Sequence, residues 1–310
     1  MRVQKKKKSR RWLKITGIAL LVMVASVGIY AYSVYHSLTS AVETMHEPID
    51  WKPSKKRAEP VVLEKKEPFS VLMLGVDERE GDKGRSDTII VLTVNPNTNS
   101  VKMLSIPRDT RTEIIGRGAD DKINHAYAFG GVPMAMETVQ NFLDIPLDYY
   151  VQINMEGFEE IVDAVGGVTL QNDLAFSVGN TVNFPLGEIT LDGEEALHYS
   201  RMRYEDPRGD FGRQTRQRQI IQAVIQKGAS VASLTNFSSI FTALGNNIKT
   251  NLTFDQMVDI QKNYKVAGKS IQQMEIKSQG QLISDIYYGI VSEEEQLRVQ
   301  SELKTHLELQ

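Results

Sequence analysis

Six arginines crowd into residues 198–218, HYSRMRYEDPRGDFGRQTRQR: Arg201, Arg203, Arg208, Arg213, Arg216 and Arg218. Only Glu205, Asp206 and Asp210 oppose them, so the segment carries a local charge of +3. Arg201 and Arg203 stand two residues apart, and an extended backbone would aim both to one side. Asp210 is placed to cap a helix on which Arg213 and Gln217 stack at i, i+4. Guanidinium forks beside a helix N-terminus make a clamp for phosphate or another oxyanion. The competing reading is a solvated helix face laced with i, i+4 ion pairs. Here the neighbours of Arg213, Arg216 and Arg218 are Gln and Thr rather than Glu, which favours anion binding. Aromatic residues do not alternate with the arginines, as stacking on single-stranded nucleic acid would require.

A second group is acidic. Three strand-like runs, FSVLMLGV, TIIVLTV and VKMLSI, lie at 69–76, 88–94 and 101–106, and the turn-rich NPNTNS joins the last two as an antiparallel hairpin. If Val94 faces Val101, the same register sets Asp87 opposite Arg108. The connection EREGDKGRS is short for a helical crossover, so the first two runs also read as a hairpin, with Asp77 near Asp87. Carboxylates brought together repel, and a hard divalent cation or an arginine is the usual compensation. The alternative is that Asp77 and Asp87 merely cap turns beside Gly75, Gly81 and Gly84, screened by Arg85 or Arg108.

Other chemistry is excluded by composition. The chain has no cysteine, which removes disulfides, thiolate metal sites and a Cys nucleophile. It has no G-x-S-x-G elbow, H-E-x-x-H zinc motif or phosphate-binding P-loop. His125 and His198 lack a partner at metal-ligand spacing and read as structural.

The elements that must position these groups follow from a chain of 310 residues, 41% hydrophobic, which suffices for a core and is too apolar for disorder. Eight Lys or Arg and no acid occupy residues 1–14, leaving 28 basic against 39 acidic residues, a balance of −11, for the remainder. A globally basic nucleic-acid binder is disfavoured. Residues 15–35, ITGIALLVMVASVGIYAYSVY, hold no charge and are long enough to span a bilayer as a signal-anchor helix. The run exceeds a signal-peptide core and lacks an A-x-A site. Residues 1–14 are then a cytoplasmic tail, 36–68 a juxtamembrane linker rich in Pro, Lys and Glu, and 69–310 one extracellular domain.

Helical patterns occur at 132–142, 155–164, 192–199, 211–227, 233–246 and 254–266, with a charged helical tail from 292 to 309. YYVQINM and 271–276 read as further strands. The fold class is α/β: a transmembrane helix followed by a domain with a central mixed β-sheet flanked by helices. The stripe Ile220, Ile221, Val224 and Ile225 is either core or the lining of a lipid cleft.

The segments LMLGVDER, RSDTIIVLTVNP, LSIPRDT, DKINHAYAFGG, GFEEIVDAVGGV, LDGEEALHYSRMR and GDFGRQTRQRQII, in this order, resemble the LytR-CpsA-Psr family of membrane-anchored cell-wall proteins, and within it the teichoic acid transferases of Gram-positive bacilli. The resemblance covers the anchor and nearly all of residues 69–227. It implies a Mg²⁺-dependent phosphotransferase that moves an anionic glycopolymer from an undecaprenyl-pyrophosphate carrier to a peptidoglycan hydroxyl, the 6-hydroxyl of N-acetylmuramic acid, forming a phosphodiester at the outer face of the cell membrane. Asp77 and Asp87 would contact Mg²⁺. Arg85, Arg108, Lys122, Arg201, Arg203, Arg213, Gln217 and Arg218 would bind pyrophosphate. Arg108, Asp87 and Asp109 would serve catalysis, with Asp87 or Asp109 accepting the proton of the acceptor hydroxyl. A non-catalytic polymer receptor, or a pyrophosphatase on the same lipid, would use much of the same site.

Overall fold

The computed structural model describes residues 11–49, 56–57, 59–77, 84–179, 182–230, 245 and 247–309. Helix α1 (Arg11–Met45) leads into β1 (Phe69–Val76), β2 (Ser86–Asn95) and β3 (Ser100–Ser105). A hairpin, β4 (Arg111–Ile114) and β5 (Ala119–Lys122), precedes α2 (His125–Leu143), β6 (Tyr149–Ile153) and α3 (Met155–Ala164). Two small ribbons follow, formed by β7 (Val168–Asn172), β8 (Phe176–Val178), β9 (Val182–Phe184) and β10 (Gly187–Leu191). Helices α4 (Gly193–Arg201) and α5 (Asp210–Ser230) lead to β11 (Ile248–Thr250) and α6 (Phe254–Tyr264). The chain ends with β12 (Ile271–Glu275), the hairpin β13 (Gln279–Ile283) and β14 (Ile286–Ile290), and α7 (Glu293–His306).

The central sheet has the order β11-β6-β1-β2-β3-β12 and is mixed: β6 and β12 run parallel to their neighbours β1 and β3, and the other pairs are antiparallel. Val94 pairs with Val101 as the turn chemistry dictates. The β1–β2 hairpin also forms, with a bulge between Gly75 and Val76. A Cβ on Gly75 would lie 2.9 Å from Cβ of Thr88, so only glycine allows the two strands to approach there.

Period-2 alternation splits the apolar residues between two faces. Leu72, Leu74, Val76, Ile89, Val91 and Leu104 pack against α2 and α7. Phe69, Val71, Ile90, Leu92, Val94 and Met103 face the other way, toward α5 and α6. The result is a helix–sheet–helix sandwich.

The helical readings at 155–164, 192–199, 211–227 and 254–266 correspond to α3 to α6. The reading at 233–246 lies outside the described residues except for 245. Helix α2 begins seven residues earlier than its pattern, its first turn set off by a kink at Gly130 and Gly131. Helix α1 continues to Met45, into the segment read as a linker. Among the described residues no helix is long and apolar enough to cross a membrane. The described side chains of the run at 15–35 nevertheless include the exposed Leu20, Leu21, Met23, Val24 and Ile29.

Candidate active site

The site forms where the ends of β1 to β3 meet α4 and α5. Asp87 is the second residue of β2, and Arg108 follows β3 after the bond from Ile106 N–H to the Ile89 carbonyl extends the ladder. The two side chains meet as the register requires, with Arg108 Nη1 2.9 Å from Asp87 Oδ2. Buried Asn124 donates from Nδ2 to Asp87 Oδ1 at 3.3 Å. Burial opposes the charge on Arg108, yet Asp87, with help from Asp210 and Asp109, leaves its pKa raised.

On α5, Asp210 is the first helical residue rather than the residue before the helix. It holds Arg213 Nη2 at 2.7 Å through Oδ1 and accepts from Gln214 Nε2 at 3.0 Å through Oδ2. Burial lowers the Arg213 pKa, Arg108 and Arg203 lower it further, and Asp210 and Asp87 oppose them. A multiply charged anion would offset the repulsion that Arg108 and Arg203 exert on Arg213.

Asp109 is half-buried. Burial and the neighbouring Asp210 raise its pKa against the pull of Arg108 and Lys122. Its carbonyl accepts from Gly289 N–H at 2.8 Å, so β14 forms a wall beside it. Lys122, at the end of β5, lies over the ring of Tyr288, 5.8 Å from its centroid. Arg201 closes α4, Arg203 lies in the exposed turn beyond it, and Arg85 is exposed immediately before β2.

Behind this rim lies a cavity of about 630 Å³ between the sheet and α5 and α6. Asp77, Asp87, Arg201, Arg213 and Gln217 line its polar end. Phe69, Val71, Leu92, Val151, Met257 and Ile260 line the rest. Ile220, Ile221, Val224 and Ile225 all border the cavity, so the apolar stripe of α5 serves as core and as cleft lining together. A charged rim opening onto an apolar cleft fits an amphiphile with an anionic head.

Three arginines of the cluster face elsewhere, among them Arg208, which pairs with Asp206 and Asp173. Arg218 is a correction: it is buried against β12, ion-paired with Glu275 and bonded through Nε to Gln273 Oε1 at 3.1 Å, away from the cavity. Five helical residues place it about 140° around α5 from Arg213. Arg216 is buried with Asp206. The histidines take structural roles, His125 beside Asp121 at 2.8 Å and His198 beside Glu194 at 3.8 Å. Sequence reasoning missed Asn124 and the β13–β14 hairpin. Asn124 was visible only as part of DKINHAYAFGG, and the hairpin carries no motif.

The model of the LytR_cpsA_psr family matches residues 32–305. The chain belongs to that family. A relative named polyisoprenyl-teichoic acid–peptidoglycan teichoic acid transferase TagU, from Bacillus subtilis (strain 168), is 54% identical over 305 residues, covering 98% of each chain. The crystal structure of B. subtilis TagU superposes with a TM-score of 0.64 at 52% identity, covering 78% of this chain and 97% of that one. The structure of TagT bound to LIIa-WTA superposes with a TM-score of 0.73 at 32% identity, covering 85% of this chain and all 100% of the other. The fold of this family member is thus shared with proteins of known architecture across the sheet and its helices.

Proposed function

We propose that the chain transfers teichoic acid from a polyisoprenyl-pyrophosphate carrier to a hydroxyl of peptidoglycan. The observation that carries this reading is that Arg201 and Arg213 line the same cavity as the apolar residues of the sheet, α5 and α6. The names of the TagU relatives support the reaction, and TagT bound to LIIa-WTA supports a glycopolymer partner. The cavity takes the isoprenoid, and Arg108, Arg201, Arg203 and Arg213 hold the pyrophosphate, with Gln217 beside them and Arg85 and Lys122 flanking. An acceptor hydroxyl attacks the phosphorus that bears the sugar. The bond from that phosphorus to the bridging oxygen breaks, polyisoprenyl phosphate departs, and a phosphodiester remains on the glycan. Guanidiniums aimed at the bridging and leaving oxygens stabilise charge that grows as the bond breaks.

Asp77 and Asp87 suit Mg²⁺: both are hard oxygen donors at the polar end of one cavity. Mg²⁺ is commonly held by one or two carboxylates plus substrate phosphates. Among the described residues no cluster of three or more His, Cys, Asp or Glu could hold a metal alone, so phosphate oxygens would complete the shell. When bound, the ion neutralises phosphate charge. Asp109, with its raised pKa, accepts the acceptor proton; Asp87 is already engaged by Arg108 and Asn124. The apolar run at 15–35 holds the chain in the cell membrane, with 1–14 cytoplasmic and 69–310 outside.

The test is incubation of the purified full chain with an undecaprenyl-pyrophosphate-linked saccharide, a peptidoglycan oligomer and Mg²⁺, followed by mass spectrometry. A phosphodiester adduct on the glycan is expected. Free phosphosaccharide alone would mark a hydrolase, and bound but unaltered lipid a receptor.

A further inference from the structure

The cavity of about 630 Å³ is of the size that encloses a drug-sized molecule. A polyisoprenoid too long for it leaves a remainder that needs apolar cover, because each CH₂ left in water costs about 0.8 kcal/mol. The cavity wall shows where that remainder leaves. Met45, in the last turn of α1, lines the cavity together with Ile248, Thr250 and Met257. Met45 and Val42 are both buried, packed on Ile248 of β11, the edge strand beyond β6 and β1. The cavity therefore runs across the sheet from the charged rim to the foot of α1.

That foot is fixed rather than tethered loosely. His46 pairs with Thr250 as a parallel bridge, and Glu47 N–H donates to the Thr250 carbonyl at 2.9 Å. Tyr150 Oη donates to the Glu47 carbonyl at 2.7 Å, and Tyr35 meets Phe254 edge-on at 5.5 Å between centroids. N-terminal to this junction, α1 exposes Tyr32, Tyr30, Ile29, Val24 and Met23. Apolar surface thus resumes along the helix beyond a short polar stretch that includes the exposed His36, Ser37 and Ser40.

Resting on the transferase reading above, we propose that the last turn of α1 is part of the carrier-binding site: Met45, backed by Val42, walls its exit, and the isoprenoid beyond the cavity lies along α1. The helix then both anchors the enzyme and leads the distal chain from the cavity toward the membrane while the pyrophosphate sits at the rim. Specificity for carrier length arises at this junction.

The test uses the full chain in detergent micelles and measures affinity for short-chain and long-chain polyisoprenyl-pyrophosphate saccharides, in the unaltered protein, Met45→Leu and Met45→Asp. Met45→Asp should lose about tenfold or more in affinity for the long carrier, about 1.4 kcal/mol, with Met45→Leu near the parent and the short carrier much less affected. Equal affinity of all three for the long carrier would overturn the proposal. Because an Asp at a buried position can unfold a protein, a long carrier bearing a diazirine on its distal isoprene is also crosslinked to the unaltered chain. Adducts on residues 29–45, suppressed by excess unlabelled carrier, support the proposal; suppressible adducts confined to α5 and α6 overturn it. If the unaltered chain binds neither carrier, the transferase reading fails first, and this inference with it.

Discussion

Arg216 Nη1 lies 2.6 Å from Asp206 Oδ2 with both side chains at or below 1% exposure, and its Nη2 donates to the Met202 carbonyl at 2.5 Å. One guanidinium thus ties together both ends of the turn that presents Arg203. Asp206 also accepts from the backbone and side chain of Arg208, which reaches on to Asp173. These arginines hold the Asp206 carboxyl far below its ordinary pKa. A Cβ on Gly212 would fall 1.9 Å from Asp206 Oδ2, so α5 needs glycine there to admit the pair.

Breaking such a pair strands a charge in the interior. Arg216→Met and Asp206→Asn should each destabilise the fold by about 3–5 kcal/mol, and the double variant by less than the sum. Urea denaturation of the four proteins checks this. Additive losses would show that the two side chains do not act as a unit.

Arg203 contrasts with Arg216 because it is exposed, its guanidinium 5.5 Å from the centroid of the Tyr204 ring. Arg203→Ala should leave the thermal midpoint unchanged and weaken carrier binding about tenfold or more, the scale of one charge-assisted hydrogen bond. Affinity for a pyrophosphate-linked lipid, measured by calorimetry, separates the two effects. Unchanged affinity would remove Arg203 from the clamp.

His306, near the end of α7, sets a pH dependence of stability. Its Nδ1 lies 2.7 Å from Thr93 Oγ1 and its Nε2 2.9 Å from Ser100 Oγ. Burial, then the nearby Lys102, lowers its pKa to about 4 against the opposing pull of Glu302 and Glu308. The unfolded chain takes up this proton near pH 6.5, the folded one only near pH 4. The contribution is therefore complete above about pH 6.5 and declines as pH falls toward 4. His306→Gln should flatten the acid side of a plot of thermal midpoint against pH; an unaltered slope would assign that loss to other groups.

The core of this site was legible because two short-range rules combine into a long-range one. NPNTNS fixes a turn, period 2 fixes the register, and together they place Asp87 against Arg108. The stripe of α5 was legible as apolar, but its neighbour across the cavity, α6, is distant in sequence, so core and cleft could not be separated. Arg218 shares the arginine-rich segment with Arg213, but its angle around α5 turns it to Glu275 instead. The β4–β5 and β13–β14 hairpins escaped because their strands are short and largely exposed, so burial wrote no alternation into ADDK or QGQLI. Nothing local to α1 announces that Met45 borders the cavity, since that contact depends on β11 and α6 arriving from some two hundred residues later.

Asp109 offers the sharpest test of the chemistry. As the proton acceptor it works only ionised, so activity should fall on the acid side of the pH profile around its raised pKa. Asp210 contributes to that rise. Replacing it, as Asp210→Asn, lowers the Asp109 pKa and should move the acid limb of kcat to lower pH. The same change releases Arg213 from its 2.7 Å pair, so carrier affinity is measured alongside. Asp109→Asn removes the base and should cut kcat by about 10²- to 10⁴-fold with carrier affinity retained. A kcat within a few-fold of the parent would place the proton elsewhere, with solvent at the open rim as its acceptor.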